Sequence, residues 1–236
     1  MYKIEIIIGP DTRLAELILD FPGLLDALEQ LNIRLGFGEQ SIREVADRYR
    51  INCDAFMVVV HTYCDCLSPG KTIRKEALGD LLAFLKNSHN GFKKKQIPEL
   101  KKLIAAFAGE IPEKYGQMLI SFFDGYIKEV YDHFEYEDST VFPYIGAVLE
   151  NRPTGGFAIN EFEKNHTDIE QKLLDLKNIL IKYMPEKIES AYRAQILHYL
   201  FEFDQQLSCH TKLEDQVLAP SVKKVEKKER HARNPK

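Results

Sequence analysis

The stretch HFEYEDSTVFP, residues 133–143, decides the fold because it carries metal-ligand residue types at helical spacing. Glu137 follows His133 by four residues, which on an α-helix places both side chains on one face, about one turn apart. The stretch HTKLEDQVLAP, residues 210–220, repeats this spacing with its own histidine and glutamate. We therefore interpret the two stretches as two copies of one helical segment.

An upstream histidine extends each copy. His89 precedes the first copy's histidine by 44 residues, and His166 precedes the second copy's histidine by the same distance. The two sets are 77 residues apart, which indicates an internal duplication. A 44-residue separation suits a chain that climbs one helix and returns to a similar depth along the next. The two halves would then deliver four imidazoles and two carboxylates to one level of a bundle core, so the predicted metal ligands are His89, His133, Glu137, His166, His210 and Glu214.

This donor set indicates a transition-metal centre. Imidazole nitrogen with carboxylate oxygen suits iron, manganese or zinc far better than calcium or magnesium. Two carboxylates can bridge two cations, while exogenous ligands complete the coordination and leave positions open for small molecules. Each pair has a simpler interpretation as well, since His-x3-Glu also occurs as a surface ion pair on helices. The recurrence at one offset favours the metal site.

Neighbouring residues are predicted to play lesser roles. Asp138 and Asp215 lie about 140° around the helix from their paired histidines, which predicts outer-layer or solvated charges rather than ligands. His198 is predicted to be structural and Cys209 a buried small hydrophobe. A thiol pair at Cys64 and Cys66 is a weaker hypothesis.

Helical periodicity dominates the chain and predicts an all-α fold. Four long amphipathic segments indicate an antiparallel four-helix bundle, and they run over about 73–107, 112–149, 160–184 and 186–225. Prolines interrupt three of these segments. Pro98 is expected to kink or restart the first, and Pro143 and Pro220 to end or bend the last turns of the second and fourth.

The chain is predicted to divide into four parts. Residues 1–65 form a small helical domain, residues 66–72 a linker punctuated by Ser-Pro-Gly, residues 73–222 the bundle, and residues 223–236 a basic, flexible tail. Within the first part, residues 51–63 fit a helix or, at their β-branched centre, a strand.

Composition excludes several classes of protein. The 236 residues are 44% hydrophobic and carry a net charge of -4, which argues against a dedicated nucleic-acid binder. No apolar run approaches the ~18 residues needed to cross a bilayer, and the first nine residues do not read as a secretory signal. Four cysteines do not make a disulfide framework, so we expect a cytoplasmic location. The oligomeric state stays open.

Both ligand segments resemble the His-x3-Glu-Glu/Asp-x3-Phe-Pro signature of hemerythrin-like proteins. The stretch FPGLLDALEQLNI, residues 21–33, resembles the small helical domain that precedes such a bundle in the di-iron iron-sulfur cluster repair proteins. The resemblance implies two non-haem iron ions with oxo and carboxylate bridges, the latter from Glu137 and Glu214. It further implies a role in nitrosative and oxidative stress, with oxygen, nitric oxide or reactive oxygen species as ligands and damaged iron-sulfur proteins as partners.

The chain departs from this family's pattern in its N-terminal part. Adjacent cysteines typically follow the segment that matches Ile33, whereas here the sequence reads RLGFG over residues 34–38. A module that binds or senses oxygen or nitric oxide without repair activity is therefore the alternative function.

Overall fold

The computed structural model describes residues 7–152, 159, 167–184 and 191–233. These residues confirm the predicted all-α fold, because within them the only β-type pairing is an isolated bridge between Arg13 and Ser41. None of the helices in this part of the chain is both long and apolar enough to cross a membrane.

Four short helices form the N-terminal part, namely α1 (Leu14–Asp20), α2 (Leu24–Gln30), α3 (Ile42–Tyr49) and α4 (Cys53–Tyr63). Residues 51–63 fitted either a helix or a strand in the sequence, and α4 shows that this segment is helical. The Asn52 side chain accepts a hydrogen bond from the backbone N–H of Asp54 and so caps the first turn. The β-branched residues Val58 and Val60 are fully buried, and this packing outweighs their strand propensity.

Four long helical segments follow, and in the residues that the structure describes each contains one π-helical turn. The first segment comprises α5 (Lys75–Gly91), the π-turn Phe92–Gln96 and α6 (Ile97–Glu110). The second comprises α7 (Glu113–Tyr136), the π-turn Glu137–Val141 and α8 (Phe142–Leu149).

The third segment comprises α9 (Thr167–Asn178) and the π-turn Ile179–Tyr183. The fourth comprises α10 (Ala191–Leu213), the π-turn Glu214–Leu218 and α11 (Ala219–Arg233). Helix α6 packs on α7 and α10, α9 packs on the same two helices, and α5 packs on α8 and α11. Neighbouring segments are therefore antiparallel, as predicted for a four-helix bundle.

The π-turns explain how three prolines fit into long helices. Pro98, Pro143 and Pro220 each occupy the second position of the α-helix that follows a π-turn. The residue before each proline donates its N–H to the carbonyl five positions back, for example Phe142 to Glu137. Proline cannot donate the usual i→i−4 bond, and the wider turn accommodates this loss. The helices thus continue beyond Pro143 and Pro220 instead of ending there.

Two apolar clusters make up the core, and they meet at the level of the predicted ligands. One contains buried residues of α1–α5, α8 and α11, and the other contains residues of α6, α7, α9 and α10. The N-terminal helices therefore share a core with one end of the bundle, while the predicted domain boundaries stay a prediction. Because α11 extends to Arg233, most of the predicted tail at 223–236 is helical.

Candidate metal centre

The centre is built at the junction of α-helices and π-turns. His89 lies in the last turn of α5, while Glu137 and Glu214 each begin a π-turn one helical turn after His133 and His210. The two glutamates thus reach the core at equivalent places in the two halves. Single π-turns inside α-helices often occur at functional sites because they redirect side chains locally.

Four of the predicted ligands form one buried cluster. Candidate ligand atoms of His89, Glu137, His210 and Glu214 all lie within 4.8 Å of one another. Each of these residues is at most 1% exposed. The cluster separates the two apolar clusters of the core, so the donors are shielded from bulk water.

The distances in the cluster show that the donors converge. The Nε2 atoms of His89 and His210 are 3.1 Å apart. The same His89 atom lies 3.1 Å from Glu137 Oε2, and His210 Nε2 lies 3.1 Å from Glu214 Oε1. Two buried carboxylates are costly to desolvate, and a bound cation offsets this cost. The donor set therefore fits a transition metal.

The other two predicted ligands have different outcomes. His133 Nε2 lies 3.2 Å from Glu137 Oε1, so His133 joins the cluster from the same helix. His166 lies outside the described residues. The fold thus brings five of the six predicted ligands together, and their individual roles as metal ligands stay a prediction.

A chain of polar contacts holds His89 from its outer side. His89 Nδ1 lies 2.9 Å from Asp138 Oδ1, and Lys93 Nζ donates to Asp138 Oδ2 at 2.7 Å. Burial by itself lowers the pKa of His89, but its bonds to Asp138 and Glu137 outweigh burial and raise the pKa to about 9. Burial likewise raises the pKa of Asp138, but its bonds to His89 and Lys93 lower the pKa to about 2. Asp138 thus contacts the outer nitrogen of His89 and lies outside the four-residue cluster, while its outer-layer role stays a prediction.

His210 has an outer partner that the sequence did not reveal. The buried hydroxyl of Ser88 lies 3.0 Å from His210 Nδ1. When Nδ1 donates to this hydroxyl, Nε2 is left with its lone pair directed at the cluster. The sequence does carry one sign of this role, because Ser88 is a polar residue directly beside His89 on a buried helix face. For Lys93, the signal was its position four residues after His89.

Aromatic rings surround the histidines. Phe134 stacks on His89 with ring centroids 4.2 Å apart, and Phe142 lies 5.2 Å from the same ring. Phe92 meets His210 edge-on at 6.1 Å. These rings restrict the imidazole orientations and exclude water, which strengthens electrostatic interactions within the centre.

The cysteines do not contribute to the centre. All four are free thiols, and Cys209 is buried as predicted, with its Sγ 3.9 Å from the Thr62 carbonyl oxygen. Burial raises the pKa of Cys64 to about 12, and it raises that of Cys66 as well. Neither is therefore an activated thiol, and the hypothesis of a reactive pair gains no support.

The helices and donors together define a four-helix-bundle protein with a buried His/Glu metal-binding centre. The Hemerythrin HHE cation binding domain matches residues 80–220, which is more than half of the chain, and the protein belongs to the hemerythrin family. This match covers the described cluster and does not extend to the N-terminal helices. The sequence matches none of the curated proteins with which it was compared.

Proposed function

We propose that the protein holds two non-haem iron ions at this centre. The observation that carries the proposal is the convergence of His89, His210 and the two glutamates at one buried point. Glutamates contributed by two π-turns at equivalent positions are suited to bridging a pair of cations, and imidazoles from different helices are suited to flanking it. Bound iron would supply redox chemistry or an open coordination position.

The chain's own residues would prepare the centre for that chemistry. Asp138 and Ser88 hold the outer nitrogens of His89 and His210, so that the inner nitrogens face the metal position. Phe134 and Phe142 keep bulk water away from His89. Lys93 pairs with the carboxylate of Asp138 and partly neutralises this charge beside His89.

We infer that this centre serves in the response to nitrosative and oxidative stress and contributes to the repair of iron-sulfur clusters in the cytoplasm. Oxygen, nitric oxide or reactive oxygen species would be its small ligands, and damaged iron-sulfur proteins its partners. The resemblance of residues 21–33 to the N-terminal domain of cluster repair proteins supports this role, as does the hemerythrin family match.

The alternative is a sensing module that binds oxygen or nitric oxide without repair. One specific contact favours it, because the Thr62 carbonyl of α4 touches Cys209, which directly precedes His210. A shift of α10 on ligand binding would thus reach the N-terminal helices. The absence of adjacent cysteines at residues 34–38 favours the same alternative.

Metal analysis and an activity assay test these proposals in turn. Protein from iron-replete cells should contain about two irons per chain and show the near-ultraviolet absorption of a bridged ferric pair. Substituting Glu137→Ala or Glu214→Ala should lower the iron content. Glu135→Ala is the control, because Glu135 is exposed and lies two residues before Glu137, and it should leave the iron content unchanged. Iron at background level in the wild-type protein would refute the metal proposal.

Cluster repair is then tested on a damaged iron-sulfur enzyme. Recovery of the enzyme's activity with the iron-loaded protein, and not with the Glu137→Ala variant, would support repair. Reversible binding of nitric oxide with no recovery would support sensing instead.

A further inference from the structure

A cavity that is separate from the metal centre lies between the N-terminal helices and the bundle. It has a volume of about 680 Å³, is open to solvent on one side, and is lined by α2, the π-turn Phe92–Gln96 with its flanking helices, and α10. None of the predicted metal ligands among the described residues lines it. A volume of several hundred Å³ is typical of sites for small organic molecules.

Carboxylates dominate the charge of this cavity. Two of its four acidic residues are already engaged, because Lys95 pairs with Glu29 at 2.7 Å and Lys102 pairs with Glu99 at 3.0 Å. The remaining two are Asp26 and Glu202, and neither forms an ion pair within the described part of the chain.

Asp26 of α2 and Glu202 of α10 both line the cavity. Burial raises the pKa of Asp26 and the charge of Glu202 raises it further, while the charge of Lys95 offsets only part of this increase. The two carboxylates therefore come from different parts of the fold, repel each other and would both be stabilised by one positive charge between them.

Buried amides supply a second, independent sign of a ligand. Gln30 lines the cavity, is only 8% exposed, and its buried Oε1 has no hydrogen-bond partner among the described residues. Gln96 also lines the cavity with a buried Oε1 that lacks a partner there, while its Nε2 donates to Gln206. Buried acceptors without donors are unfavourable, so these two oxygens suit a ligand that brings N–H groups.

Aromatic residues complete the wall. Tyr199 and Phe203 line the same cavity from α10, next to Glu202. Aromatic faces and carboxylates together attract organic cations, because the rings bind the apolar part and interact with the charge.

We propose that this cavity is a binding site for a small organic cation with an ammonium or guanidinium group. The cationic group would lie between Asp26 and Glu202, its N–H groups would donate to Gln30 and Gln96, and its carbon chain would contact Tyr199 and Phe203. Small anions are disfavoured, because the cavity's two lysines are outnumbered by its carboxylates. Binding of the cation in this cavity would not depend on the metal content of the protein.

Calorimetric titration of the full-length protein tests the site, with agmatine as the probe and glutarate as an anionic control of similar length. Saturable binding of one agmatine per chain, in both metal-free and iron-loaded protein, is the expected result, together with no binding of glutarate. No saturable binding of agmatine would overturn the proposal.

Three variants of the cavity and one control variant distinguish specific binding in the cavity from general attraction of a cation to an acidic protein. Glu202→Gln and Asp26→Asn should each weaken agmatine binding about tenfold or more, and Gln30→Met should weaken it without a change in charge. Glu129→Gln removes the same charge from α7, away from the cavity, and should leave binding unchanged. Equal weakening by Glu129→Gln and Glu202→Gln would overturn the proposal. Glu202 is exposed, so its variant carries the test even if the others fold poorly.

Discussion

The Nε2 atoms of His89 and His210 face each other at 3.1 Å in the centre of the bundle. Two imidazole nitrogens at this distance must share a proton or a cation, because two opposed lone pairs repel. The residues come from α5 and α10, so this arrangement exists only when the first and fourth helical segments are packed together.

The two histidines should be required for metal binding. Substituting His89→Ala or His210→Ala removes an inner donor, and we expect iron per chain to fall to less than half of the wild-type value, as each cation depends on few protein donors. His198→Ala is the matched control, because His198 is exposed on the same helix as His210. Iron retained in both inner variants would contradict the assignment.

Asp138 should tune the metal affinity without binding the metal. Asp138→Asn weakens the support of His89 Nδ1 and removes the charge that Lys93 contacts, so we expect a 10- to 100-fold loss of affinity at unchanged stoichiometry. Competition with a chelator of known affinity measures this change. Asp132→Asn, an exposed residue paired with Lys128, should have no such effect. A loss of whole iron equivalents would instead mark Asp138 as a ligand.

Metal binding should release a proton from His89. In the metal-free protein the pKa of His89 is raised from 6.5 to about 9, so between these pH values a proton occupies the folded histidine and must leave on binding. Apparent metal affinity should therefore increase with pH up to about 9. Anaerobic calorimetry with ferrous iron in two buffers of different ionisation enthalpy counts the protons released. Identical binding heats in both buffers at pH 7.5 would contradict this prediction.

The same shift has the opposite effect on the metal-free fold. A raised pKa in the folded state stabilises the protein fully below pH 6.5, and this contribution is lost as the pH rises through about 9. Urea unfolding of metal-free protein should thus show lower stability at pH 9 than at pH 6.5, and His89→Gln should reduce the difference. The lowered pKa of Asp138 acts only at acid pH, because its contribution is lost as the pH falls from 3.8 through about 2.

Phe134 should be important for stability as well as for the centre. It is fully buried and stacks on His89, so Phe134→Ala should lower the free energy of unfolding by about 3–5 kcal/mol. Phe201→Ala is the control, since the Phe201 side chain is 52% exposed and should cost far less. Urea denaturation of both variants measures the difference, and similar losses would show that the packing around His89 contributes little.

Much of the bundle could be predicted because its signals are local. His-x3-Glu places two donors on one helix face through the helical repeat alone, and the 77-residue offset doubles that signal. The same local geometry placed Asp138 to one side of the ligand face. Prolines were harder to interpret, since their effect depended on π-turns that periodicity does not reveal.

Contacts between helices could not be predicted in this way. Ser88 meets His210 across 122 positions, and Asp138 meets His89 across 49, so each contact depends on how helices rotate and align when they pack. Likewise, the cavity between Asp26 and Glu202 exists only because the N-terminal helices pack on the bundle. The sequence by itself thus determined the helices and the kind of donor they carry. Only the tertiary structure decided how closely these donors approach one another and what supports them, because side-chain packing, and not the helical repeat, fixes distances between helices.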